Sequence, residues 1–74
     1  MTLNIISASS PAFRVEVTKA FFPGVDGSFE VLRNHAPLIA ALGKGEVRWD
    51  GGSRSIRSGF VKVMDNVITA VVEE

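Results

Sequence analysis

Few residues in this chain can do chemistry. His35 is the sole imidazole, cysteine and tyrosine are absent, and the remaining charged side chains are carboxylates, lysines and arginines. Nucleophilic or acid–base catalysis needs a nucleophile, a base and a group that orients the base, all within hydrogen-bond reach. None of the serines sits in a nucleophile elbow that would present it to His35, so no catalytic residue is expected. The lack of cysteine removes disulfides, thiolate chemistry and sulfur-ligated zinc or iron–sulfur sites, and neither a metal site nor a cofactor is expected. Gly24 and Gly27 are not followed by the Lys-Ser/Thr of a phosphate loop and stand at no strand-to-helix switch, which makes them turn glycines rather than a nucleotide cradle. His35 reads as a corner residue whose ring bonds a backbone carbonyl next to Pro37. Trp49 reads as a core or rim aromatic, and Arg48, Arg54 and Arg57, interleaved with Glu46 and Asp50, as ordinary solvated strand surface.

The elements that must hold these residues are strands. The densest run is Pro23 to Pro37, PGVDGSFEVLRNHAP. Pro23 fixes its own φ and the two glycines permit positive φ, so Pro23 to Gly27 is a tight reversal that brings Asp26 to solvent. Phe29, Val31 and Leu32 then form a short strand, and Ala36 before Pro37 is pushed toward extended geometry, which makes a second corner. Upstream, Leu3 and Ile5 and then Phe13, Val15 and Val17 alternate with polar residues at the period of a half-buried strand, with a turn at Ser9-Ser10-Pro11. Downstream, Leu38 to Leu42 is cut off by Gly43 and Gly45 before a helix gains stable length, and reads as a strand. Gly51-Gly52 and Asp65-Asn66 mark two further hairpins, the second between Phe60–Met64 and Val67–Val72.

About eight to ten short strands with no amphipathic helix predict an all-β fold, an antiparallel β-sandwich or flattened barrel, in one domain over residues 1–74. Ile5, Phe13, Val15, Val17, Phe29, Val47, Phe60, Val63, Ile68 and Val71 are the expected core. Alternation alone leaves open which of Phe21 and Phe22 points inward. Eight Lys plus Arg balance eight Asp plus Glu, so there is no global field to draw nucleic acid or an anionic membrane surface, and no nucleic-acid partner is expected. Near-neutrality gives little protection against association, which suits a component of an assembly. No run approaches the roughly 18 apolar residues of a membrane span, and no basic start precedes a signal-type core, so neither membrane insertion nor export is expected.

Taken together, several motifs resemble one family. Pro23-Gly24-x-x-Gly27, Phe29-x-Val31-Leu32 and Asn34-His35-Ala36-Pro37-Leu38 are similar to the N-terminal domain of the epsilon subunit of F-type rotary ATP synthases, the subunit called delta in mitochondria. Leu3-Asn4-Ile5-Ile6-Ser7 resembles that family's first strand, and Phe13 stands where the family usually has an aromatic. Gly45-x-Val47 and Ser58-Gly59-Phe60-Val61-x-Val63 resemble later strands, and Asn66-x-Ile68-Thr69 its closing hairpin. The resemblance covers essentially the whole chain without large gaps.

The resemblance implies a non-catalytic central-stalk, or rotor, subunit at the cytoplasmic face of the membrane. It would join the gamma subunit to the c-ring, so that proton-driven ring rotation reaches gamma and supports ATP synthesis. Ser7, His35 and Ala40 match positions on or near the gamma-facing side, and Asp26, Gly27 and Ser28 match the turn that meets the c-ring. Ser28 stands where many relatives carry an acidic residue, so Asp26 or Glu30 would supply that charge, and Arg33 stands where proline is common. The family architecture commonly continues with a C-terminal helical hairpin that inhibits ATP hydrolysis and in some members binds ATP. The present sequence ends at Glu74, where the hairpin would begin, and coupling without self-inhibition or bound nucleotide is the expectation for these residues. Read without the resemblance, the residues leave a second class open: a free-standing β-sandwich module that binds a small molecule or carbohydrate through Trp49 and an exposed sheet edge.

Overall fold

Alternation at a period of two builds nine strands and no helix in the computed structural model, which describes Met1–Glu74. They are β1 (Thr2–Ser7), β2 (Phe13–Glu16), β3 (Lys19–Phe22), β4 (Phe29–Leu32), β5 (Leu38–Leu42), β6 (Gly45–Trp49), β7 (Gly52–Ile56), β8 (Ser58–Met64) and β9 (Val67–Glu73). A five-stranded sheet in the order β2-β1-β9-β8-β5 lies against a four-stranded sheet in the order β4-β3-β6-β7. This is the sandwich that the strand pattern predicts. Its shortest dimension, 18 Å, is that of two stacked layers and their side chains. No helix is long and apolar enough to cross a membrane.

All pairings are antiparallel except that between β1 and β9, which run parallel with Ile5 opposite Ala70 and Ile6 opposite Val71. A parallel pair cannot be closed by a tight turn. Here the whole intervening chain is the crossover, and it ties both termini into the middle of the larger sheet. Gly51 (φ 108°) makes the β6–β7 turn, and Asp65 and Asn66 (φ 51° and 64°) both adopt the left-handed conformation that a two-residue hairpin requires.

The inner faces bring together Leu3, Ile5, Val31, Val47, Val61, Val63 and Ile68, each at most 1% exposed. Phe22 is the largest fully buried side chain, and its ring stacks on Phe29 with centroids 5.6 Å apart. Burying side chains of this size contributes about 1.5–3 kcal/mol each. Phe22 is therefore the inward member of its pair, while Phe21 lies on the outer face beneath the Arg48 guanidinium. Phe13, Val15 and Phe29 pack against the core from half-buried positions.

Two expected core residues are not in it: Phe60 is 63% and Val71 51% exposed. Phe60 and Val63 differ by an odd number of positions, as do Ile68 and Val71, so neither pair can share a face of a regular strand. The core takes Val61 with Val63, and Ile68 with Ala70 and Val72. The same parity corrects the reading of Arg54 as plain surface. It shares the inward face of β7 with Ile56, stacks its guanidinium 5.2 Å from the Phe13 ring centroid, and places Nε 3.5 Å from Glu74 Oε2.

Gly59 pairs with Val72 and Leu42 on the inward face. A Cβ there would stand 2.5 Å from the Val71 carbonyl oxygen and 3.0 Å from the Val72 Cα. Backbone cannot yield as a flexible side chain does, so the close approach of β8 to β9 depends on glycine at this position.

Candidate interaction surface

Because Phe60 and Val71 face outward, the larger sheet carries an apolar row that the core does not use. The registers place Ala41 opposite Phe60, Phe60 opposite Val71, and Val71 opposite Ile6, so the row crosses β5, β8, β9 and β1. Ile6 is 45% exposed. Cross-strand neighbours in such a row stand about 4.5–5.5 Å apart and present one continuous surface. The row borders a shallow depression of ≈ 340 Å³ reaching Ser58 and Glu73. The next row on the same face is Ile39, Lys62, Thr69 and Asn4, which is largely polar.

The Asp26–Ser28 turn projects beside the edge strand β5. It is closed by the Gly27 amide donating to the Gly24 carbonyl (3.1 Å), and all three residues are exposed. Gly24 is fixed there because a Cβ would stand 2.6 Å from the Gly27 oxygen. Asp26, Gly27 and Ala40 line one depression of ≈ 320 Å³, so these candidates for two different partners adjoin on the molecule. The Ala40 side chain lies on the inward row with Val61 and packs against the core from a half-buried position.

His35 occupies the corner before β5. Its amide donates to the Leu32 carbonyl (3.1 Å), and its ring Nδ1 lies 2.7 Å from the Ala36 carbonyl oxygen, which can only accept, so Nδ1 is the donor of this contact. Asn34 (φ 65°) holds the corner against the β8–β9 turn: its amide donates to Asn66 Oδ1 (2.7 Å), and Asn66 Nδ2 donates to Asn34 Oδ1 (3.1 Å). Ser7 stands apart, at the end of β1 and three interstrand spacings, about 14 Å, from β5. Its Oγ accepts from the Ser9 amide (3.2 Å) in a serine turn whose Ser10 hydroxyl donates to Glu74 Oε1 (2.9 Å). Ser7 and Ala40 are the sequence neighbours of Ile6 and Ala41, the two ends of the apolar row.

Three carboxylates are held below their ordinary pKa. The Thr18 amide does this for Asp50, helped by the Lys19 amide and the Thr18 hydroxyl. The Ser10 hydroxyl does it for Glu74, with Arg54 adding charge, and the Thr2 hydroxyl does it for Glu16. All three are structural clasps between chain segments. None is paired with His35 or with a second carboxylate in a way that would serve proton transfer.

The family model described as "ATP synthase, Delta/Epsilon chain, beta-sandwich domain" matches residues 1–74. The chain belongs to that family. Relatives of this delta/epsilon sandwich include proteins named ATP synthase epsilon chain from Chlorobaculum tepidum, 38% identical over 99% of this chain and 89% of the relative, and from Chlorobium limicola, 36% identical over 97% and 88%. A third, from Leptospira borgpetersenii, is 32% identical, and the present chain spans 61% of its length. A chain in the cryo-EM structure of the Tetrahymena thermophila mitochondrial ATP synthase central stalk and c-ring superposes with a TM-score of 0.82 over 99% of this chain and 63% of its own. At 13% identity that likeness is one of fold. Phe60 and Val71 are the surface residues of this delta/epsilon sandwich that hydrophobicity alone assigns to the core. The signal that places them outside is their company: Lys62 shares a face with Phe60, and Thr69 and Glu73 share one with Val71.

Proposed function

We propose that this chain is a non-catalytic rotor subunit of an F-type ATP synthase, a coupling between the gamma subunit and the c-ring at the cytoplasmic face of the membrane that passes ion-driven rotation to gamma. The observation that carries the proposal is membership of the delta/epsilon family along all 74 residues. A second observation supports it: a nearly neutral chain keeps Ile6, Phe60 and Val71 exposed side by side, which is costly in solution and expected of a surface that a partner covers. The gamma subunit would cover this row from Ser7 at one end to Ala40 and His35 at the other. The Asp26-Gly27-Ser28 turn, which projects beside β5, would meet the polar loops of the ring.

The work assigned to the sandwich is mechanical. Two interlocked layers packed at interior density deform little under load, so torque applied at the turn reaches the opposite face without being lost in local strain. Neither a bound nucleotide nor a bond-making step is required of these residues.

Reconstitution with gamma and the c-ring tests the proposal. Replacing His35 by alanine should weaken gamma binding and leave ring attachment intact. Replacing Asp26 by alanine should uncouple the ring and leave gamma binding intact. A purified chain that associates with neither partner would remove the proposal.

A further inference from the structure

The outer face of the larger sheet carries more apolar surface than one row. Beyond Lys62 the registers set a third row, in which Met64 lies opposite Val67 and Val67 opposite Thr2. Of the eight large apolar side chains that the chain exposes, six stand on this face: Ile6, Ile39, Phe60, Met64, Val67 and Val71. Lys62 stands in their midst. Phe60 and Met64 flank it on β8, each about 7 Å away along the strand, and Ile39, 75% exposed, is its neighbour on β5. Its neighbour on β9 is the uncharged Thr69.

The other charges lie at the margins of the face: Arg14 and Glu16 on the edge strand β2, Glu73 at the end of β9, and Asp65 in the β8–β9 turn. Neither of the chain's ion pairs, Met1 amine to Glu16 and Arg54 to Glu74, includes Lys62. In the free chain an unpaired lysine costs little here. Lys62 is exposed, and a lysine rests its carbon stem on apolar neighbours while its ammonium stays in water.

A partner that covers the face removes that water. Lys62 and Met64 form the ridge between two shallow depressions, one of ≈ 330 Å³ toward β5 and one of ≈ 300 Å³ toward β9. A surface whose apolar side chains fill both must pass over Lys62. An ammonium withdrawn from water without a counter-charge opposes binding, whereas one that meets a carboxylate gains a charge-assisted hydrogen bond.

We propose, on the reading that gamma covers the apolar row, that gamma lays on this face a segment that is apolar except for one Asp or Glu, whose carboxylate accepts a hydrogen bond from Lys62 Nζ. The pair selects the partner. A second copy of this chain has no carboxylate inside the same face to offer, and two copies packed about its centre bring two Lys62 ammonium groups together, a juxtaposition that disfavours self-pairing.

Titration of the full chain with full-length gamma tests the pair. Lys62→Met keeps the length and the apolar stem and removes the charge. It should weaken binding about 30-fold or more, because the partner's carboxylate is left without a counter-charge. Lys62→Glu should weaken binding at least as much, and changing gamma's surface Asp and Glu residues to Lys one at a time should find one position that restores it to within about 10-fold of the parent. Because Lys62 is exposed, both variants should unfold in denaturant as the parent does. If Lys62→Met binds gamma as tightly as the parent or more tightly, Lys62 is unpaired in the complex, and the proposal is overturned while gamma remains the partner. The same follows if no change in gamma rescues Lys62→Glu. If the parent does not bind gamma, the reading of the row falls and the pair with it. Dimerisation of the chain alone at the concentrations that bind gamma, abolished by Phe60→Thr, would assign the face to a second copy and overturn the proposal as well.

Discussion

Phe60→Thr separates the two demands on the outer face of the larger sheet. Phe60 is 63% exposed, and a phenylalanine side chain can bury about 200 Å², so about 125 Å² remains for a partner to cover. At about 25 cal/mol per Å² that area is worth about 3 kcal/mol on complex formation, or about 150-fold in affinity. Ordering costs at an interface reduce what is observed, and a loss of about 10- to 100-fold is expected for gamma binding. The part already covered within the chain is smaller, and threonine keeps the strand preference, so folding stability should fall by about 1–2 kcal/mol at most.

Titration calorimetry against the gamma subunit reads the first quantity and denaturant unfolding the second. Phe21→Thr is the control, because it removes an aromatic from the outer face of the other sheet, where Phe21 sits beside Arg48. Its affinity for gamma should stay within about 2-fold of the parent, the usual range for a residue outside an energetic hot spot. If folded Phe60→Thr binds gamma as tightly as the parent, or if Phe21→Thr weakens binding equally, the apolar row is not the covered surface.

Gly59→Ala should cost about 1–3 kcal/mol in denaturant unfolding, because the added methyl meets the backbone of β9 rather than a movable side chain. Asn66→Gly keeps the left-handed turn but loses the clasp to Asn34, and should cost about 0.5–1.5 kcal/mol. Asn66→Ala loses both and should cost about 1 kcal/mol more than the glycine variant. Stability should also depend on acid. Asp50, Glu16 and Glu74 are held below their ordinary values of 3.8, 4.5 and 4.5, so their contribution is complete above those values and is lost as the pH falls through the lower folded-state values. Thermal midpoints should be level near neutrality and drop on the acid side, and Asp50→Asn should flatten that drop by removing one of the three titrating groups.

Fold and surface were legible to different depths for one physical reason. Alternation reports that a segment is a strand, and glycine, proline and Asx residues report where it turns. Those signals are local, and they place all of β5 through β9 and both hairpin turns. Which alternate residues face the core is a matter of parity, and where both faces of a strand carry large apolar residues, hydrophobicity alone cannot choose. That is the situation of β8 and β9: Val61 and Val63 compete with Phe60, and Ile68, Ala70 and Val72 compete with Val71. The decision falls to the polar members of each set. Lys62 cannot be buried without a partner, so it carries Phe60 outward, and Thr69 and Glu73 do the same for Val71. The parallel β1–β9 pairing was beyond any local signal, since it joins residues 65 positions apart. It is also what aligns Ile6 with Val71 and makes a row out of separate exposed side chains. A surface of this kind is therefore written in the sequence only as an excess of apolar residues over what one core can use. The topology turns that excess into a place, and the excess is the part of the sequence that folding by itself does not explain.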